Sequence, residues 1–195
     1  MVSAVSPVVD SKTILTDADI ARAIIRIAHE ILEANRGPEG LVVIGVHTRG
    51  VPFARRLAQE LSQLEGCVVP VATLDITPFR DDTPRPRGPE QAPPLEVAVT
   101  GRRVVLVDEV IHTGRTARAA LDAICLHGRP ERVYLAVLVD RGHRELPIRP
   151  DFVGKNIPTA RDEYVRVRLQ ETDGLDAVAI ERRAVPAGAG KGGDS

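Results

Sequence analysis

Apolar residues recur at helical spacing from Thr16 or Asp17 to Asn35, where Ile20, Ile24, Ile27, Ala28 and Ile31 form one stripe. Gly37-Pro38 ends that pattern. Leu41–Val46 is apolar throughout and bounded by turn residues, the mark of a strand buried on both faces of a parallel sheet. The spacing then predicts a helix over Pro52–Gln63, stopped by Gly66, and a strand over Val68–Ile76. A strand over Arg103–Val107, a helix over Thr116–His127 closed by Gly128-Arg129-Pro130, and a strand over Arg132–Val139 follow. The remainder is shorter and strand-rich, with candidates at Phe152–Gly154, Tyr164–Leu169 and Ala177–Glu181. Strands alternating with helices predict an α/β fold, a parallel sheet of about five strands flanked by helices. In such sheets ligands collect at the carboxyl ends of the strands.

Three segments break the pattern. Residues 1–12 read as a frayed arm, and the Gly/Ala-rich stretch 184–195 as a flexible tail, leaving one domain over about 14–182. Thr77–Pro94 holds Pro78, Pro84, Pro86, Pro89, Pro93 and Pro94 without apolar periodicity, so a long, mobile, functional loop is expected there.

Composition narrows the classes. With 43% hydrophobic and 27% charged residues the chain is an ordinary folded globular sequence, and with 3% aromatics and no Trp its core must be aliphatic. A net charge of −1 gives no global attraction to nucleic acid, so any such contact needs a local basic surface. Cys67 and Cys125 match no zinc or redox spacing and are expected to be buried, as in a reducing compartment. No protein-only metal site is expected. The N-terminus shows no signal peptide, no apolar run is long enough to span a membrane, and the expected location is the cytoplasm.

The chemistry is densest in Val104–Thr116, V-V-L-V-D-E-V-I-H-T-G-R-T. Four apolar residues bury a strand, the carboxylates Asp108 and Glu109 appear where it should emerge, and a Thr-Gly-Arg-Thr turn leads into a helix. Backbone N–H groups at that helix start, with the Thr113 and Thr116 hydroxyls, suit a phosphate dianion. Gly114 permits close backbone approach. Two adjacent carboxylates can accept hydrogen bonds from neighbouring ribose hydroxyls, as an acidic residue does in dinucleotide folds. Thr48-Arg49-Gly50 ends the first predicted sheet strand, and an arginine there suits a phosphate because its planar fork donates in pairs.

The Val104–Thr116 stretch resembles the 5-phosphoribosyl 1-pyrophosphate (PRPP) loop of the type I phosphoribosyltransferases, whose fold adds a small hood to the sheet. The resemblance implies that Asp108 and Glu109 hold the ribose. It further implies that Thr48, Arg49, Val110, Ile111, His112, Thr113, Gly114, Arg115 and Thr116 line the substrate site. The usual acid pair is Asp-Asp or Glu-Asp; Glu109 keeps the charge on an arm one methylene longer.

Further segments resemble the PyrR family of pyrimidine regulators, over about residues 14–182. Asp75–Asp82, D-I-T-P-F-R-D-D, is similar to that family's hood loop, with Pro78 and Phe79 in place of Leu and Tyr, and implies that Arg80 closes over pyrophosphate. Val139–Arg149 and Val153–Thr159 are the family's most distinctive segments, and they imply a uracil ring near Arg141 and Ile157. His112 stands where the family usually has Tyr. Arg22, Arg26 and His29 recur opposite the isoleucine stripe, where they could equally be a solvated face with Arg26–Glu30 and His29–Glu33 pairs. The resemblance places Arg26, His29, Arg144, Arg149 and Lys155 on RNA-binding positions, with Arg22 beside them and Ile25 where Thr is common.

The function so implied is a UMP-dependent RNA-binding regulator of pyrimidine genes that also converts uracil and PRPP, with Mg²⁺, to UMP and pyrophosphate. Asp108, Glu109, Arg49 and Arg80 would be its catalytic residues, and the leader RNA of a pyrimidine operon its partner. A homo-oligomer, dimer or larger, is expected by the same resemblance. Transcription attenuation and translational repression both stay open. So do two rivals, a phosphoribosyltransferase for another base without an RNA role and a nucleotide-sensing RNA binder with little catalysis.

Overall fold

A computed structural model describes residues 8–82 and 92–183; the expected flexible tail and much of the proline-rich stretch lie outside them. The first helix, α1 (Asp17–Asn35), begins at Thr16. The Thr16 hydroxyl accepts from the Asp19 N–H while Asp19 reaches back to the Thr16 N–H, a reciprocal capping box. Its five stripe residues are all buried. Arg36 in the left-handed region ends it.

Five parallel strands form the main sheet in the order β3-β2-β4-β5-β6: β2 (Leu41–Val46), β3 (Val71–Leu74), β4 (Arg103–Ile111), β5 (Arg132–Asp140) and β6 (Phe152–Asn156). Alternation along the strands sorts the core into two layers. Val43, Val105, Val107, Ala136 and Leu138 pack with α1 and with α2 (Gly50–Glu65) on one face. Val42, Ile44, Leu106, Leu135 and Val137 pack with α3 (Arg115–Leu126) on the other. Gly45 lets α2 lie tight on the sheet, since a Cβ there would sit 2.7 Å from the Val51 Cα.

The expected hood is a second, antiparallel sheet in the order β1-β8-β7, made of β1 (Val8–Leu15), β7 (Glu163–Arg168) and β8 (Ala177–Arg183), with the short helix α4 (Gln170–Asp173) between the last two in sequence. This corrects the reading of the N-terminal arm. Residues 8–13 do not fray but pair with β8, Lys12 opposite Ile180 and Thr13 opposite Ala179. Their alternation was too short to register as a strand until a partner edge was in place. A second correction concerns Cys67 and Cys125, which are both exposed rather than buried. Cys67 follows the left-handed Gly66 that ends α2, and Cys125 lies on the outer side of α3.

Candidate phosphoribosyl site

The loops after β2, β4 and β5 meet at the carboxyl end of the sheet. The strand β4 runs further than expected. Asp108 and Glu109 lie within it, since Val110 and Ile111 still pair with Val139 and Asp140 of β5. The acid pair is thus fixed by ladder bonds rather than by a loop. Burial pushes the Asp108 carboxyl well above the usual carboxylate range, with the neighbouring Glu109 charge adding to it; the Glu109 N–H, 2.9 Å from Asp108 Oδ1, only partly opposes them. A second negative charge here is costly until hydrogen-bond donors or a cation arrive.

Gly114 forms the turn into α3 with φ +92°, a left-handed conformation that a β-carbon disfavours. The Thr113 hydroxyl accepts from the Arg115 N–H at 3.3 Å. No side chain caps α3, so the Thr116 and Ala117 amides keep no side-chain acceptor. A helix start in this state can receive an anion. Thr113, Thr116, Arg115 and His112 share a cleft of about 210 Å³ with Arg80, Asp81 and Asp82.

The Thr48-Arg49-Gly50 turn packs directly on β4. A Cβ at Gly50 would sit 2.7 Å from the Val107 carbonyl oxygen and 3.3 Å from the Asp108 Cα, so only glycine lets this loop reach the acid pair. The His47–Thr48 peptide is cis. Arg49 is not free: its Nη2 donates to Asp173 of α4 at 3.3 Å. Arg80 is likewise held, on Asp82.

The described start of the proline-rich stretch has local structure of its own. Thr77–Phe79 is a single 3₁₀ turn with Pro78 buried, stabilised by Asp75 accepting from the Thr77 N–H at 2.8 Å. Helix α3 ties it down: Arg115 donates to Asp81 at 2.8 Å and Arg118 to the Phe79 carbonyl at 3.0 Å. The loop therefore leans on the Thr113–Thr116 turn and the helix that follows it. Residues 83–91 of that stretch lie outside the described residues.

On the base side, Ile157 is buried and its N–H donates to the Asp140 carbonyl at 2.8 Å. The Arg141 guanidinium is buried and donates to the Thr159 hydroxyl at 3.2 Å and the Glu163 carbonyl at 2.7 Å. Arg141 thereby braces the loop. Arg144 is a second brace. It donates to Asp140 at 2.6 Å, to the Ile148 carbonyl at 2.9 Å and to the His112 carbonyl at 2.8 Å. Its donors are thus engaged within the protein and it is half-buried, whereas the other residues in the expected RNA-binding set lie exposed on the surface. His112 meets His143 edge-on at 6.0 Å, and burial, then the charges of Arg141 and His143, lower its pKa so that it is neutral at neutral pH. Both imidazoles line a cleft of about 530 Å³ with Arg141, Arg144, Glu145 and Arg161.

Sequence reasoning missed Asp173, Asp81, His143 and Arg161. His143 sits in a segment already singled out, but Asp173 and Arg161 carry no local signal and matter only through tertiary placement. On the outer face of α1, Arg22, Ile25, Arg26 and His29 are all exposed. Arg22 pairs with Asp19 at 2.6 Å. Arg26 pairs with Glu30 at 2.7 Å and also donates to the Val153 and Gly154 carbonyls, which brings this face against β6 and Lys155. Arg149 is exposed on the loop before β6.

A model of the phosphoribosyl transferase domain matches residues 10–172. The crystal structure of Trypanosoma cruzi hypoxanthine phosphoribosyltransferase superposes with a TM-score of 0.68 at 20% identity, covering 89% of this chain and 97% of that one. A Bacillus anthracis hypoxanthine-guanine phosphoribosyltransferase gives 0.64 at 20% identity, covering 90% and 100%. The chain belongs to the phosphoribosyltransferase family. Its curated relatives place it more finely, in the PyrR group of that family. It is 59% identical over 172 residues to the Bifunctional protein PyrR of Deinococcus radiodurans, covering 86% of this chain and 93% of that protein. The Bifunctional protein PyrR of Staphylococcus carnosus is 54% identical over 172 residues, covering 87% and 98%.

Proposed function

We propose that the protein transfers a phosphoribosyl group from PRPP to uracil, giving UMP and pyrophosphate, and that with UMP bound it recognises the leader RNA of a pyrimidine operon. The observation that carries the first part is the convergence of three elements at one sheet end: the uncapped Thr113–Thr116 turn, the acid pair in β4, and the Arg49 loop packed on that pair through Gly50. Membership of the PyrR group supports uracil as the base and RNA as the partner.

In the reaction, N1 of uracil forms a bond to the anomeric carbon of PRPP as the bond from that carbon to pyrophosphate breaks, and the N1 proton is lost. An oxocarbenium-like state needs positioning and charge stabilisation rather than a protein nucleophile. The Thr116 and Ala117 amides and the two threonine hydroxyls hold the 5-phosphate. Asp108 and Glu109 accept from the ribose hydroxyls. Arg49 and Arg80 turn from their internal carboxylates to the pyrophosphate. Backbone groups near Arg141 and Ile157 hold the ring.

Among the described residues no cluster of three or more His, Cys, Asp or Glu side chains is placed to hold a metal. The adjacent carboxylates of Asp108 and Glu109, one of them costly to charge unaided, fit Mg²⁺, which keeps most of its water and binds through substrate phosphates and one or two carboxylates. Bound, it would neutralise charge on the departing pyrophosphate.

The RNA surface would be the face of α1 carrying Arg22, Arg26 and His29, continued by Lys155 and Arg149. Assembly into a homo-oligomer would join such faces, and no helix among the described residues is long and apolar enough to cross a membrane, in keeping with a cytoplasmic role. The direct test of the enzyme is UMP formation from labelled uracil and PRPP with Mg²⁺. Turnover of uracil in preference to hypoxanthine or orotate is expected. Turnover of another base alone would overturn the substrate, and UMP binding without turnover would leave a sensor.

A further inference from the structure

Helix α2 sends two arginines, Arg49 at its N-cap and Arg56 seven residues on, to the same segment of the second sheet. Seven residues are two helical turns, so both side chains leave α2 on one face. They are held very differently. Arg56 Nε and Nη2 donate to the two oxygens of Glu171 at 2.7 and 2.6 Å, and Nη1 and Nη2 to those of Asp176 at 2.7 and 2.9 Å. These are the short forked bonds of a locked arginine.

Arg49 has a single bond to Asp173, at 3.3 Å, and its Nε is buried with nothing to donate to. That length exceeds the usual charge-assisted bond of about 2.7–2.9 Å. A buried donor without an acceptor disfavours the arrangement it sits in. Asp173 cannot follow the arginine to improve the contact. Its Oδ2 accepts from the Leu169 N–H at 3.0 Å, its own N–H donates to the Leu169 carbonyl at 2.7 Å, and Arg56 clamps the residues on either side. Burial works to raise the Asp173 carboxyl, but the Leu169 N–H and then Arg49 outweigh it, so the group stays ionised.

From this contrast we infer that Asp173 is a holding carboxylate for Arg49, keeping the guanidinium beside the Thr48–Gly50 loop and competing with pyrophosphate for it. The inference rests on the reading of Arg49 as a pyrophosphate ligand. A polyanion arriving at the Thr48–Gly50 turn offers Arg49 several oxygens in place of one distant one, including an acceptor for Nε. When pyrophosphate departs, Arg49 returns to Asp173. The second sheet, fixed through Arg56, thereby weakens the grip on the product and eases its release. Asp173 touches no substrate; it is a positioning residue that acts through Arg49.

The test is Asp173→Asn in the full chain. The amide oxygen still accepts from the Leu169 N–H, so α4 keeps its shape while the competing charge is lost. Affinity for inorganic pyrophosphate with Mg²⁺ is measured by calorimetry, beside UMP. Pyrophosphate is expected to bind about two- to fivefold tighter, the range of one modest ion pair. UMP, which has no pyrophosphate, should be unaffected. Asp173→Glu keeps the charge and should fall back toward wild type; tightening in both variants would mean a disturbed α4 and overturn the role. Weaker or unchanged pyrophosphate binding in Asp173→Asn overturns it too. Arg49→Ala separates the two levels. If it binds pyrophosphate as well as wild type, the ligand role of Arg49 itself fails. A loss there with no change in Asp173→Asn sinks only the holding role.

Discussion

In the proposed site, the Thr113–Thr116 turn would meet a phosphate with amides and hydroxyls already in place, whereas the pyrophosphate side presents arginines already engaged elsewhere. The first region is built from backbone: a left-handed Gly114, an uncapped helix start, and acids fixed in a strand ladder. The second is built from side chains, with Arg49 on Asp173 and Arg80 on Asp82. A backbone site costs little reorganisation when its ligand binds, because nothing has to let go. A side-chain site must exchange one anion for another, and so can release a product as readily as it takes it. That division suits a protein expected to retain UMP as a signal while losing pyrophosphate.

The comparison breaks first at the acid pair. Asp108→Asn with Glu109→Gln should cost UMP binding about 1.5–3 kcal/mol per charge-assisted bond lost; an unchanged dissociation constant for UMP would remove the ribose from this site. Next comes Gly114→Val, which forces a β-branched residue to φ +92°. Strain of about 1–3 kcal/mol should appear as weakened UMP binding with the fold retained by circular dichroism. Arg80→Ala sharpens the other side. About tenfold should be lost in kcat/KM for PRPP, the low end for a charge-assisted bond, while UMP affinity holds. Equal loss of both would show that the two regions are not separable.

A smaller effect is expected on the α1 face. Arg26→Ala should weaken RNA binding without altering UMP affinity and flatten the salt dependence by about one counterion. A slope equal to wild type would mean that Arg26 serves only to brace β6. The smallest concerns Asp19, whose carboxyl is lowered to about 2, first by the Thr16 N–H, then by the Thr16 hydroxyl and Arg22. Its folded pKa lies below its ordinary 3.8, so its contribution is complete above about pH 4 and lost as pH falls through 2. The stability difference between wild type and Asp19→Asn in urea should therefore close on acidification. A constant gap would deny the capping box a charged member.

The same division decides what could be read from sequence. Ile20, Ile24, Ile27, Ala28 and Ile31, the buried run Leu41–Val46 and the Val104–Thr116 segment each carry their structure locally, in period, turn chemistry and charge. The two-layer sheet and the strand–turn–helix geometry around Gly114 were legible for that reason. The partners of the arginines were not. Asp173 lies 124 residues from Arg49 with nothing nearby to mark it, and Asp81, though inside a segment already singled out, meets Arg115 across 34 residues. Arg141 and Arg144 show the converse. Their motif is conspicuous, yet their guanidinium groups brace the loop from inside. Strand β1 escaped because its order comes from the edge of β8, far along the chain.

The proposed function couples UMP in the cleft at Asp108 and Glu109 to RNA on the α1 face. It is tested most directly by titrating the protein against the 5′ leader of its own genome's pyrimidine operon, with and without UMP, at two salt concentrations. The account expects selective binding that UMP tightens, with the tightening abolished in Asp108→Asn/Glu109→Gln. Leader affinity indifferent to UMP at both salt concentrations would contradict it.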